Sequence, residues 1–85
     1  MTPRRVVTDR TDLQSRSRLA RCGIALYGER WQSPLSRALG VSDRSVRAWV
    51  AGTRSIPAGV WGELATLLRE RAGEARGLAE ELAAS

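Results

Sequence analysis

Apolar residues recur at helical spacing along much of this chain, and short polar stretches carrying glycine or proline separate the periodic segments. The sharpest pattern lies in QSPLSRALGVSDRSVRAWVAG, residues 32–52. Ser33 is placed to cap a helix whose first residue is Pro34, where a missing N–H costs nothing. Leu35, Ala38 and Leu39 follow at i, i+3, i+4 spacing, and Gly40 supplies a left-handed stop. Val41 fills the angle before a second helix, which Ser42 caps and Asp43 favours in its first turn. In that helix Val46, Trp49 and Val50 share one face, while Arg44, Arg47 and Ala48 look largely the other way, and Gly52 ends it. A buried stripe opposite two arginines is what a helix needs to enter a DNA groove.

On either side the periods are longer. Asp12 is a reasonable N-cap for a helix from Leu13 to Tyr27, with Leu13, Leu19, Cys22, Ile24, Leu26 and Tyr27 as apolar surface and Arg16, Arg18 and Arg21 outside it. Gly28 is the expected C-cap, and Trp31 is expected to pack back over this helix as the staple of the next one. Pro57 opens a further helix with Val60, Trp61, Leu64, Ala65, Leu67 and Leu68 facing the core. Gly73 and Gly77 each weaken its continuation by about 1 kcal/mol relative to alanine. Ala72, Ala75, Leu78, Ala79 and Leu82 nevertheless hold the period, so one long helix or a fifth helix after a break near Gly73 is expected. Residues 1–11 read as an irregular basic arm carrying Arg4, Arg5 and Arg10. The organisation is thus an arm (1–11), a helical domain (12–72) and a helical extension (73–85). The expected fold is all-α, a compact bundle of four to five helices containing a helix-turn-helix.

Residues 32–52 resemble the helix-turn-helix of phage-repressor proteins, the Cro and lambda-repressor-like family. The matching positions are the small residue Ser36, the turn glycine Gly40, the apolar Val41, the polar cap Ser42, the aliphatic Val46, Trp49 and the closing Gly52. The match is sharp over about 21 residues and looser over roughly 45 more. One departure is that the family usually carries alanine where this chain has Ser36. The resemblance implies a second helix lying in the major groove, where each base pair presents its own donor and acceptor pattern. Arg44 and Arg47 are then the base readers, each able to pair bidentately with a guanine. Asp43, Ser45 and Ala48 are secondary candidates, toward a cytosine amino group, a base or phosphate, and a thymine methyl. Gln32, Ser33 and Arg37 would meet the DNA backbone from the first helix, and Thr53, Arg54 and Ser55 from the following loop. Arg4, Arg5 and Arg10 form a possible minor-groove arm. The resemblance, together with apolar surface left over at Ala75, Leu78, Ala79 and Leu82, implies a homodimer on an inverted repeat with half-sites about 34 Å apart. It implies a repressor of the kind found in phages and mobile elements, autoregulatory or associated with anti-CRISPR or toxin–antitoxin genes.

Composition narrows the class. Eighty-five residues suffice for one small domain, and a 42% hydrophobic content with three tryptophans favours a folded chain. No apolar run reaches the roughly 18 residues of a membrane span, and MTPRRVVTDR lacks the apolar core of a secretory signal. A cytoplasmic location is therefore expected. Cys22 is the single cysteine and there is no histidine, so neither an internal disulfide nor a zinc site is expected. No cofactor, small-molecule ligand or enzymatic activity is expected, since no nucleophile with its base and no phosphate-cradling glycine loop is present. All fourteen basic residues are arginine, and the formal net charge is +5. Their distribution says more: residues 1–54 hold eleven arginines against four acidic residues, while residues 55–85 hold three against five. A basic half that carries the paired helices suits a protein presenting one face to phosphates. Two other classes stay open, a non-specific architectural DNA binder and a module that docks a larger protein through the acidic C-terminal helix.

Overall fold

The computed structural model describes the backbone of residues 2–84 and the side chains of residues 13–84. The described residues form four α-helices and no strand: α1 (Thr2–Tyr27), α2 (Gln32–Leu39), α3 (Asp43–Ala51) and α4 (Gly59–Ala84). The all-α expectation is met, with the lower helix number.

The short helices end as their sequences require. Gly40 closes α2 at φ 72°, and its N–H donates to the Arg37 carbonyl while that of Val41 donates to Ser36 at 2.9 Å. Gly52 repeats the arrangement at the end of α3, with φ 82° and the Thr53 N–H donating to the Ala48 carbonyl at 3.0 Å. These paired bonds cover carbonyls that a helix end otherwise leaves bare. Ser42 caps α3 as expected, its Oγ accepting from the Ser45 N–H at 3.1 Å.

Three boundaries differ from the expected ones. Helix α1 begins at Thr2 rather than after Asp12, so the backbone of residues 2–11 continues α1 instead of forming an irregular arm. Nothing in that stretch forces a break, because Pro3 falls in the first turn, where proline is tolerated. The side chains of Arg4, Arg5 and Arg10 lie outside the described ones. Helix α2 begins at Gln32, with Trp31 at the N-cap and no side-chain cap, so Ser33 is not the cap. The Ser33 hydroxyl is engaged elsewhere, as shown below. Helix α4 starts at Gly59, two residues after Pro57, and runs through Gly73 and Gly77 unbroken, which removes the expected fifth helix.

The core is made by one stripe from each helix. Leu19 and Leu26 of α1, Trp31 of the turn, Leu35 of α2, Val46 and Trp49 of α3, and Val60 and Leu64 of α4 are all buried together. Cys22, Tyr27, Leu39, Val41, Val50, Ile56, Trp61, Leu67 and Leu68 pack around them. Trp31 lies over Gly23 of α1, as the staple reading anticipated. Leu13 and Ile24 do not join the core and are exposed. They keep a helical period, but on the opposite side of α1 from Leu19 and Leu26. Nor is the molecule compact, its principal extents being 62 × 24 × 21 Å. A helix of 26 residues spans about 39 Å at 1.5 Å per residue, more than this small core can cover.

Candidate nucleic-acid interface

The α2–α3 pair is held together by a polar clasp as well as by the core. The Asp43 carboxylate, at the first position of α3, accepts from both serines of α2 that face it. Ser33 Oγ donates to Oδ2 at 2.8 Å, and Ser36 Oγ donates to Oδ1. Ser36 is 1% exposed, so its hydroxyl is among the most enclosed polar groups of the protein, and it also lies 2.7 Å from the Ser33 carbonyl. A buried hydroxyl needs a partner, and Asp43 supplies one. The serine that departs from the alanine of the resembled motif thus has a specific use.

The clasp fixes the charge of Asp43. Hydrogen bonds from Ser36 and then Ser33 hold its carboxyl below the ordinary carboxylate value; partial burial opposes them, and the Arg47 and Arg37 guanidiniums add to the lowering. A carboxyl with a depressed folded-state pKa contributes stability above its unfolded value, here about 3.8, and that contribution is lost as pH falls through the folded value. Ser36→Ala is therefore expected to destabilise the protein at pH 7 by about 1 kcal/mol. The same substitution should cost progressively less below pH 4, as Asp43 protonates in both forms. Denaturant titrations of the two proteins across that range check this, and a pH-independent difference would detach Ser36 from the Asp43 charge.

The outer side of this pair carries the cations. Arg44 and Arg47, one helical turn apart on α3, are exposed, as are Arg37 of α2 and Thr53, Arg54 and Ser55 of the following loop. Not all candidate side chains are free to reach outward. Asp43 has both oxygens engaged in the clasp, which takes it away from the expected cytosine contact. Ser33 is spent on the same clasp rather than offered as a backbone donor. Ser45 lies between its cap and the loop, accepting from Ser42 Oγ at 3.1 Å and from Arg54 Nη1 at 3.4 Å. The Thr53 hydroxyl turns back to the Ala48 carbonyl at 3.3 Å, and Ala48 is half-buried. Arg54 is thereby drawn toward the start of α3 and stands beside Arg44 and Arg47 in the same region of charge.

One contributor escaped the sequence reading. Arg30, in the turn before α2, joins Glu29, Gln32, Ser33, Pro34 and Arg47 around an open concavity at the α2 N-terminus. The signal was present. Burial of Trp31 turns its predecessors Glu29 and Arg30 toward solvent, and both are exposed.

Elsewhere the chemistry is sparse. Among the described residues no group of three or more His, Cys, Asp or Glu is placed to hold a metal ion, and no helix is long and apolar enough to cross a membrane. Cys22 is a half-buried free thiol in α1. Arg71 of α4 stacks over the Tyr27 ring, its guanidinium carbon 5.7 Å from the centroid, and ties the end of α1 to the middle of α4. Leu78 and Leu82 stand exposed on the part of α4 beyond that contact. No protein-family model, no curated protein and no solved structure matches this chain.

Proposed function

We propose that this protein is a sequence-specific double-stranded DNA-binding regulator, a homodimeric repressor that reads an inverted repeat through the major groove. In this reading α2, the Gly40–Ser42 turn and α3 constitute a helix-turn-helix, and α3 is the recognition helix. The observation that carries it is the clasped pair itself. Asp43, Ser33 and Ser36 lock α3 to α2 at its N-terminal end, and the exposed face next to that lock presents Arg44 and Arg47 with Arg54 alongside. A recognition helix has to be rigid at this end, because its N-terminal residues meet the base edges. Arg37, Gln32, Arg30 and Ser55 surround that face as phosphate contacts, which set register without reading sequence. The exposed α4 extension supplies the dimer contact.

A second reading, an architectural binder that uses its arginines only on phosphates, is favoured by the place of Arg47 beside Arg30 in the concavity at the start of α2. Capture of random duplexes on the purified protein at about 150 mM salt, followed by sequencing, separates the two, because non-specific binding is dominated by the phosphate term. Enrichment of an inverted repeat is the expected result. Retention without enrichment would transfer the function to architectural binding. Failure to retain DNA at all would remove both and leave the protein-docking class.

A further inference from the structure

Every described residue of α4 beyond Leu68 is exposed, yet the face that enters the core does not stop there. Val60, Leu64 and Leu67 are continued at helical spacing by Arg71, Ala75, Leu78 and Leu82, with Leu78 60% and Leu82 75% exposed. The two edges of this stripe differ. Glu70, Glu74 and Glu81 follow one, and Ala72, Ala79 and Ala83 follow the other. Antiparallel pairing with the same segment of a second copy would set the glutamate edge against itself, which like charges disfavour. The stripe calls for an apolar surface with a basic edge.

Such a surface lies on α1. Leu13 and Ile24, 57% and 51% exposed, share the outward face with Ser17, and Arg18 and Arg21 border it. Leu13, Gln14, Ser17, Arg18 and Arg21 line an open concavity there. No acidic residue occurs between Leu13 and Tyr27. The lengths also agree: Leu13 to Ile24 and Arg71 to Leu82 each cover about 16 Å of helix.

We propose that the C-terminal half of α4 from one copy lies along the Leu13–Ile24 face of α1 of a second copy, and reciprocally, so that two equivalent helix contacts close the dimer. This deepens the dimer element of the proposed function and is independent of how the arginines of α3 meet DNA. The alanine edge lets the helices approach, Leu78 and Leu82 cover Leu13 and Ile24, and the glutamate edge meets Arg18 and Arg21. Two contacts related by a two-fold axis satisfy both copies and leave no open end for further growth.

A charge exchange tests it. One variant carries Arg18→Glu and Arg21→Glu, the other Glu74→Arg and Glu81→Arg, and circular dichroism checks that each is folded. Sedimentation should show a wild-type dimer, with each variant alone weakened by at least about tenfold in dissociation constant. An equimolar mixture should restore dimers of wild-type strength containing one chain of each kind, because acidic α4 then meets basic α1 in one contact and basic α4 meets acidic α1 in the other. An α1 variant that dimerises like wild type would overturn the proposal. So would a mixture no stronger than its components, or a wild-type chain that stays monomeric. Duplex capture by the same proteins is scored separately. A monomer that still enriches one sequence loses the helix exchange and keeps sequence-specific DNA binding, while a charge-exchanged dimer that retains no DNA does the reverse.

Discussion

Replacing Gly23 by alanine is expected to lower the stability of the folded protein by about 2 kcal/mol and its midpoint by about 10 °C, although alanine is the better helix former. On its own, the substitution in a helix interior favours folding by about 1 kcal/mol. Here a Cβ at position 23 would stand 2.8 Å from Cγ of Trp31 and closer still to Cε3 and Cδ2. The indole cannot move aside cheaply. It is 5% exposed, belongs to the core, and its own carbonyl accepts the Leu35 N–H at 2.9 Å, so displacing the ring drags the start of α2 with it. Overpacking of this kind outweighs the helix term. The check is a thermal melt of Gly23→Ala, Trp31→Leu and the double variant. The double variant should be more stable than the sum of the single losses predicts, since the smaller side chain makes room for the methyl group. A Gly23→Ala protein as stable as wild type would mean that α1 and Trp31 do not approach as closely as described.

The same contact shows what the sequence holds and what it does not. That Trp31 packs over the first helix follows from its place before an apolar-periodic segment. That it packs on Gly23, and that Gly23 is a contact rather than a weakness in α1, needs the crossing of two elements. Gly40, Ser42 and Gly52 were legible because capping is a local matter, decided within a few residues. Ser33 was misread for the converse reason. A serine before a proline is a good local cap, but Asp43, ten positions on, offers its hydroxyl a charged acceptor, and the helix begins at Gln32 instead. Ser36 looked like a tolerated departure until the same carboxylate was found beside it. Leu13 and Ile24 have the right period on the wrong face, since apolar residues run all the way round α1 and period alone does not choose among them. The candidate arginines of α3 were legible from their opposition to Val46 and Trp49. Arg30, outside any periodic segment, came into view only through the shape of the surface.

Arg47→Ala is expected to have the largest effect on DNA binding, weakening the preferred duplex by about 10- to 100-fold, the worth of one bidentate guanine contact. The loss should fall on one base position in each half-site, so that sequences differing there bind the variant equally while preference elsewhere survives. Arg30→Ala is the natural control. It borders the same concavity but sits in the turn before α2, off the recognition helix. Its removal should weaken all duplexes alike and reduce the slope of log K against log salt by about 0.9, as the loss of one neutralised phosphate does. Arg54→Ala should behave in the same way, because its side chain is held toward Ser45 at the edge of α3 rather than along it. Both affinity and salt slope are measured for each variant on the preferred and on an unrelated duplex. If Arg47→Ala matches Arg30→Ala in both, position 47 is a phosphate contact and base reading devolves on Arg44. If Arg44→Ala matches them as well, α3 reads no bases, and the exposed arginines of the clasped pair only hold the protein to the backbone.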